Sequence, residues 1–121
     1  MIPIFIPYLN KKATKYVSKC LGTNWISSQG AYISKFEKAL AKYHEVKYCV
    51  ATSSGTSALH LAIKSLKLGK GDEVICPDLT FLAPANMIFL SGAKLKLVDI
   101  NPETLAIDHK QIEKKINKKT K

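Results

Sequence analysis

Residues 48–66 constrain the fold of this chain more than any other stretch. The run from Tyr48 to Thr52 is short, apolar and rich in β-branched and aromatic residues, which is typical of a buried strand. Further along, Leu59, Ile63 and Leu66 recur at helical spacing, and this predicts a helix that lies against a sheet. A strand followed directly by such a helix is the beginning of a βαβ unit.

The turn between this strand and helix has the sequence SSGTS, residues 53–57. Gly55 is expected to take a positive φ, and the hydroxyls of Ser54, Thr56 and Ser57 can cap the helix. A helix start offers unpaired N–H groups and the positive end of a dipole, so it suits a phosphate. An ordinary strand-to-helix connection is capped in the same way, and both interpretations stay open. The sequence has neither GxxxxGK[ST] nor GxGxxG, so a nucleotide-triphosphate loop is not expected.

Beyond this unit the chain continues to alternate between strand and helix patterns. Strands are predicted over residues 48–52, 73–76 and 94–98, with helices over 83–90 and after Asp108. This alternation predicts an α/β fold with right-handed βαβ units and a parallel sheet. Three strands are few for such a sheet, so an uncovered edge is expected.

The residues before this α/β part, 1–46, are predicted to form a helical amino-terminal arm, which makes 1–46 and 47–121 the two regions of the chain. The arm consists of an extended run over residues 1–8, a helix after Asn10 that ends at Gly22, a loop over 23–31 and a helix from about residue 32 to Tyr43. Its extended start is imposed by Pro3 and Pro7.

A second candidate site segment, residues 78–82, follows the predicted strand over 73–76. In open α/β sheets ligands bind at the carboxyl ends of the strands, where this segment and the SSGTS turn can meet. Phe81 is placed to stack on a flat ligand whose phosphate occupies the turn. Packing of Phe81 in the core is the alternative.

Composition bears on the classes of function. The net charge is +10, and all 19 basic residues are Lys. Because the lysines are spread along the chain and no Arg is present, a nucleic-acid partner is not expected.

The sequence also bears on the compartment and on metal binding. No apolar run approaches the roughly 18 residues of a membrane helix, and no signal-peptide pattern occurs, which favours the cytoplasm. The three cysteines form no CxxC pair, so we expect neither zinc nor a disulfide framework, and Cys49 and Cys76 are predicted core residues.

Six short motifs occur in a fixed order along the chain. They are WISSQG at 25–30, FE at 36–37, SSGTSALH at 53–60, GKGDEVI at 69–75, PDLTF at 77–81 and DINPET at 99–104. With this series, nearly the whole chain resembles the amino-terminal third of the pyridoxal-phosphate (PLP)-dependent sugar-nucleotide aminotransferases, the DegT-type, perosamine-synthetase-like group of fold-type I enzymes. The resemblance implies a three-layer α/β/α fold with a parallel-type sheet, here the start of the large domain.

The resemblance also implies the roles of several residues. The backbone amides around Gly55, Thr56 and Ser57 would hold the cofactor phosphate, and Phe81 would stack on the pyridine ring. The enzyme would move an amino group, with glutamate as donor, to a keto-sugar nucleotide for nucleotide-sugar and cell-surface polysaccharide biosynthesis, and would act as a homodimer.

The loop over residues 25–30 has a separate implied role. By the resemblance, Trp25, Ser27 and Ser28 would lie near the sugar-nucleotide substrate or the active site of the dimer partner. Alternatively, Trp25 anchors the amino-terminal arm.

The chain departs from the family in one respect. The lysine that holds the cofactor covalently, and the acid that pairs with the pyridine nitrogen, are expected beyond residue 121, so no catalytic residue is assigned within this sequence. Because transamination needs both groups, the chain alone is expected to bind phosphate at most. The competing hypothesis is a truncated, non-catalytic α/β module that binds phosphate or is purely structural.

Overall fold

The computed structural model describes residues 2–3 and 5–121; the extended run predicted over 1–8 therefore includes two positions, Met1 and Ile4, outside the described residues. The elements are α1 (Lys11–Gly22), α2 (Ala31–Tyr43), α3 (Gly55–Ser65), β1 (Glu73–Pro77), α4 (Ala83–Ser91), β2 (Lys94–Val98) and α5 (His109–Lys115). They fall into two compact units, Met1–Ala51 and Thr52–Lys121. Over the described residues, none of the helices combines the length and apolar character that crossing a membrane requires.

The first unit contains α1 and α2. The side chain of Asn10 accepts a hydrogen bond of 2.9 Å from the backbone N–H of Ala13, which confirms Asn10 as the N-cap of α1. In α2 the buried residue is Ala41. The apolar side chains of both helices lie largely open, since several of the large ones are more than half exposed: Tyr16, Val17, Leu21, Phe36 and Tyr43.

The strand predicted over residues 48–52 is absent from the structure, so that prediction was wrong for the described chain. An apolar run reports a tendency to be buried, but a strand also needs a neighbour to complete its hydrogen-bond ladder. The two strands that do form pair with each other. Cys49, predicted to be a core residue of this strand, is only half-buried in an irregular segment.

The second unit is built on a parallel pair of strands. Residues of β1 face those of β2 from Glu73 opposite Lys94 to Pro77 opposite Val98, and α4 connects the two strands. This βαβ unit confirms the predicted α/β class with parallel strands. A single parallel bridge from Glu73 to Thr120 also involves the start of β1, so the described sheet has two strands and one bridge instead of three strands.

The core of the second unit lies between the sheet and its helices. Its buried centre is Cys76, Ile88 and Ala93, with Ile63, Leu68, Val74 and Leu95 packed around it. Ile63 is thus the residue of the predicted α3 face that reaches the core, whereas Leu59 and Leu66 are 37% and 62% exposed. Ile116 is 57% exposed, because α5 ends at Lys115 and the backbone of Ile116 is already extended.

Candidate functional site

The turn before α3 is fixed by its own hydroxyl groups. Ser54 is the N-cap, and its Oγ accepts a hydrogen bond of 3.1 Å from the backbone N–H of Ser57. The Oγ of Ser57 lies 3.1 Å from that of Ser54 and 3.2 Å from that of Ser53. The carbonyl of Ser54 accepts the N–H of Ala58 at 3.0 Å. Hydrogen bonds within residues 53–58 therefore define the shape of the turn.

Two backbone amides remain available at this helix start. Among the described residues, the N–H groups of Gly55 and Thr56 have no protein acceptor, whereas the N–H of Ser57 is already bonded to Ser54. Both free donors lie in the first turn of α3, where the helix dipole adds partial positive charge. The turn thus presents two donors to an anion, and Ser57 contributes through the hydroxyl network instead.

The backbone of Gly55 differs from the expectation. The glycines with positive φ are Gly71 and Gly92, so the positive φ predicted for Gly55 was wrong. Ser54 makes the change from extended to helical backbone, and Gly55 is already the first helical residue. A Cβ built on Gly55 meets nothing within 4 Å, so this position leaves open space beside the free amides.

An open groove lies next to these amides. Its volume is about 590 Å³, and it is lined by Gly55, Thr56, Ala58, Leu59, Ala62, Phe81 and Ala83. The side chain of Phe81 is 76% exposed, which rules out its alternative role in the core of this structure. Two of the three predicted phosphate residues and the predicted stacking residue therefore share one groove.

The connection that carries Phe81 is positioned by the sheet. The backbone N–H of Asp78 donates a hydrogen bond of 3.0 Å to the carbonyl of Val98, just after β1 has ended at Pro77. The connection therefore leaves the sheet where both strands have their carboxyl ends, the usual side for ligands in α/β folds. Helix α4 then begins at Ala83, and its packing beside α3 brings the two connections together.

The loop over residues 25–30 lies in the first unit. The indole Nε1 of Trp25 donates to the carbonyl of Gln29, and the Oγ of Ser27 lies 3.1 Å from the same oxygen. Trp25 and Ser27 line a groove of about 380 Å³ with Lys19, Tyr32 and Lys35 among its other walls. Ser28 and Trp25 line a neighbouring groove. The structure thus places the three residues on one loop, and their substrate role stays a prediction.

One polar contact was missed in the sequence. The carboxylate of Glu37, on α2, accepts a hydrogen bond of 2.9 Å from the backbone N–H of Ala51. Glu37 belongs to the FE motif, but the motif alone assigned it no partner. Its partner lies 14 residues away in an irregular segment, so no periodic pattern links the two.

Comparison with known proteins gives the family. The model of the DegT/DnrJ/EryC1/StrS aminotransferase family matches residues 7–121. The chain belongs to this family. The motif series in the sequence had predicted the same family. The solved structures that this chain resembles confirm the expected fold class.

Three relatives illustrate the match. GDP-perosamine synthase of Escherichia coli O157:H7 is 46% identical over 120 residues, which are 99% of this chain and 33% of that protein. The structure of E. coli GDP-4-keto-6-deoxy-D-mannose-3-dehydratase with bound hydrated PLP has a TM-score of 0.87 at 29% identity, covering 98% of this chain and 32% of that one. A GDP-4-keto-6-deoxymannose-3-dehydratase with a trapped PLP-glutamate geminal diamine gives the same score, identity and coverage. The chain thus spans about a third of the length of these relatives.

Proposed function

We propose that this chain forms the cofactor-phosphate part of a PLP-dependent aminotransferase that acts on a keto-sugar nucleotide. The observation that carries the proposal is the groove in which the free amides of Gly55 and Thr56 lie beside the exposed ring of Phe81. The match to the aminotransferase family over residues 7–121 supports it.

The groove fits both ends of the cofactor. A phosphate needs several donors and little steric hindrance, and Gly55 and Thr56 supply two N–H groups at a helix start with open space around Gly55. The Oγ of Ser57, held by Ser53 and Ser54, is a further candidate donor because a hydroxyl can rotate toward the ligand.

The flat ring of the cofactor needs an apolar or aromatic surface. Phe81 supplies it, and Leu59 and Ala62 add apolar walls of the same groove. When bound, PLP supplies the electron sink for amino-group transfer. The residues of this chain then bind its phosphate, fix the plane of its ring and keep water from one ring face; we assign no catalytic group among them.

The relatives include two reaction classes, amino transfer and dehydration. Identity is 46% to GDP-perosamine synthase and 29% to the dehydratase, which supports amino transfer. Glutamate is proposed as the amino donor, and the PLP-glutamate species trapped in a dehydratase of the same fold supports it. We place the reaction in nucleotide-sugar and cell-surface polysaccharide biosynthesis, in the cytoplasm.

Two further parts of the proposal concern the surface. The loop with Trp25, Ser27 and Ser28 is proposed to contact the sugar nucleotide, because Lys19 and Lys35 beside it suit an anionic substrate. A homodimer is proposed because the unit around the groove leaves large apolar side chains such as Phe89 and Leu90 exposed.

Titration with pyridoxamine 5′-phosphate (PMP) tests cofactor binding. PMP lacks the aldehyde, so it does not label the 19 lysines of this chain. We expect the backbone amide NMR signals of Gly55 and Thr56 to shift on titration with PMP. Pyridoxamine, which lacks the phosphate, is expected to leave them in place, and inorganic phosphate to move them less than PMP.

A pair of phenylalanine variants tests the ring site. Phe81→Ala is expected to weaken PMP binding by about two- to tenfold, the range of an aromatic stacking contact. Phe5→Ala is the matched control, because Phe5 is likewise 76% exposed but does not line the groove. Equal affinities of the two variants, or PMP shifts that avoid residues 55–57, would contradict the proposed site.

A further inference from the structure

The peptide group that joins Ser54 to Gly55 carries one of the two free donors of the turn. This group is trans, so the N–H of Gly55 points away from the carbonyl of Ser54 in the same plane. Whatever holds that carbonyl therefore also sets the direction of the Gly55 N–H. Gly55 has no Cβ, and nothing lies within 4 Å of the place that a Cβ would take, so side-chain packing does not restrict rotation of the group.

Two hydrogen bonds hold the Ser54 carbonyl. The N–H of Ala58 donates to it at 3.0 Å from within α3, and the Oγ1 of Thr52 donates to it at 3.0 Å from the chain that enters the turn. A carbonyl oxygen has two lone pairs, so these two donors satisfy it. The hydroxyl network of Ser53, Ser54 and Ser57 does not include this carbonyl. Among the described residues, Thr52 is thus the one side chain that acts on it directly.

We propose that Thr52 is a positioning residue for the cofactor phosphate, acting through the Ser54 carbonyl on the N–H of Gly55. The inference deepens the proposed function and rests on it. Thr52 and the turn belong to the same compact unit. The Thr52 hydrogen bond limits rotation of the peptide group, so less freedom is lost when an anion binds. It also polarises the group, because successive hydrogen bonds strengthen one another, and this makes the Gly55 N–H a stronger donor.

Four variants of the full-length chain test this role. Thr52→Val removes the hydroxyl and keeps the branched shape, Thr52→Ala removes both, and Thr52→Ser keeps the hydroxyl. Ser65→Ala is the matched control, because the Ser65 hydroxyl also donates to a backbone carbonyl of α3, that of Ala62 at 2.7 Å, but Ser65 does not line the groove. Thr52→Val and Thr52→Ala are expected to weaken PMP binding about two- to fivefold, the effect of one neutral hydrogen bond. Thr52→Ser and Ser65→Ala should bind PMP as the wild type does.

Two readouts discriminate positioning from a loss of stability. In the free chain, the carbonyl ¹³C NMR signal of Ser54 is expected to move upfield in Thr52→Val and Thr52→Ala but not in Thr52→Ser or Ser65→Ala. Pyridoxamine binding, followed at the ring signals of Phe81, should be the same in all variants because this ligand has no phosphate. Wild-type PMP affinity in Thr52→Val, or equal weakening of PMP and pyridoxamine, would overturn the inference. If Thr52→Val does not fold, Thr52→Ala decides by the same criteria.

Failure of the proposed function gives a different pattern. If the wild-type chain does not bind PMP, the cofactor assignment is lost. Titration with inorganic phosphate then decides the role of Thr52. A smaller displacement of the Gly55 amide signal in Thr52→Val than in Ser65→Ala supports the positioning role, and equal displacement overturns it.

Discussion

The carboxylate of Glu73 accepts a hydrogen bond of 2.7 Å from the side-chain amide of Asn117, 44 residues further along the chain. The ammonium group of Lys96 lies 3.0 Å from the same carboxylate oxygen. Backbone bonds reinforce the contact, from Glu73 N–H to Lys119 at 2.8 Å and from Lys121 N–H back to Glu73 at 3.0 Å. One buried acid thus ties the last described segment to the start of β1.

Glu73 is expected to make the second unit sensitive to acid. The Asn117 hydrogen bond and then the Lys96 ammonium lower the pKa of Glu73 in the folded chain. A carboxyl with a lowered folded pKa contributes stability above its unfolded pKa of about 4.3, and this stability is lost as the pH falls through the folded value. We therefore expect the unfolding midpoint to fall over this acid range.

The measurement is thermal unfolding at a series of pH values. Glu73→Gln is expected to lower the midpoint at neutral pH and to show a shallower decline in acid than the wild type. Glu113→Gln, which replaces an exposed acid of α5, is the control and should keep the wild-type slope. A Glu73→Gln profile parallel to that of the wild type would show that this carboxyl does not govern the acid response.

Two glycine substitutions are predicted to have opposite effects on stability. Gly92 has φ +82° at the C-cap of α4, a left-handed conformation that costs an alanine about 1 kcal/mol. Gly92→Ala should therefore lower the free energy of unfolding by that amount. Gly55 lies in α3 with open space at its Cβ, so Gly55→Ala should raise the free energy of unfolding by about 0.5 kcal/mol. Chemical denaturation measures both. Destabilisation by Gly55→Ala would restore the original expectation of a strained turn.

Elements with local signals were predictable from the sequence. The helix predicted over 83–90 is α4, because Pro84 favours its first turn and Gly92 supplies the left-handed residue that ends it. Strand β2 was predicted with its observed bounds, and Asn10 and Asp108 cap helices as expected. Each of these depends on residues within a turn or two of chain.

Features that depend on distant partners were not predictable. The run over 48–52 has strand composition, but its hydrogen bonding depends on a neighbour that the pattern does not reveal. The Glu37–Ala51 and Glu73–Asn117 contacts join residues 14 and 44 positions apart, and neither has a periodic signal. In the candidate site, Phe81 and Gly55 were correctly brought to one groove by the α/β topology, whereas the backbone conformation of Gly55 depended on Ser54.

The three thiols are expected to differ in reactivity. Cys76 is 3% exposed in the core, and burial raises its pKa, so little thiolate forms there. Cys20 and Cys49 are half-buried. A thiol-specific chromogenic reagent should therefore modify these two first in the native chain, and Cys76 only on unfolding. Simultaneous modification of all three under native conditions would mean that the core around Cys76 opens readily.

The last prediction concerns the packing of Trp25 on Gly30. A Cβ added to Gly30 would approach Cδ1 and Nε1 of the indole to 2.7 Å, closer than Cβ atoms come in real proteins. The φ of Gly30 is −151°, an extended value open to any residue, so the conflict is purely steric. Gly30→Ala should thus displace the indole from the carbonyl of Gln29 and change the fluorescence of the single tryptophan. Gly22→Ala, with nothing within 4 Å of its Cβ, should leave the spectrum unaltered; identical spectra for both variants would show that Trp25 does not rest on Gly30.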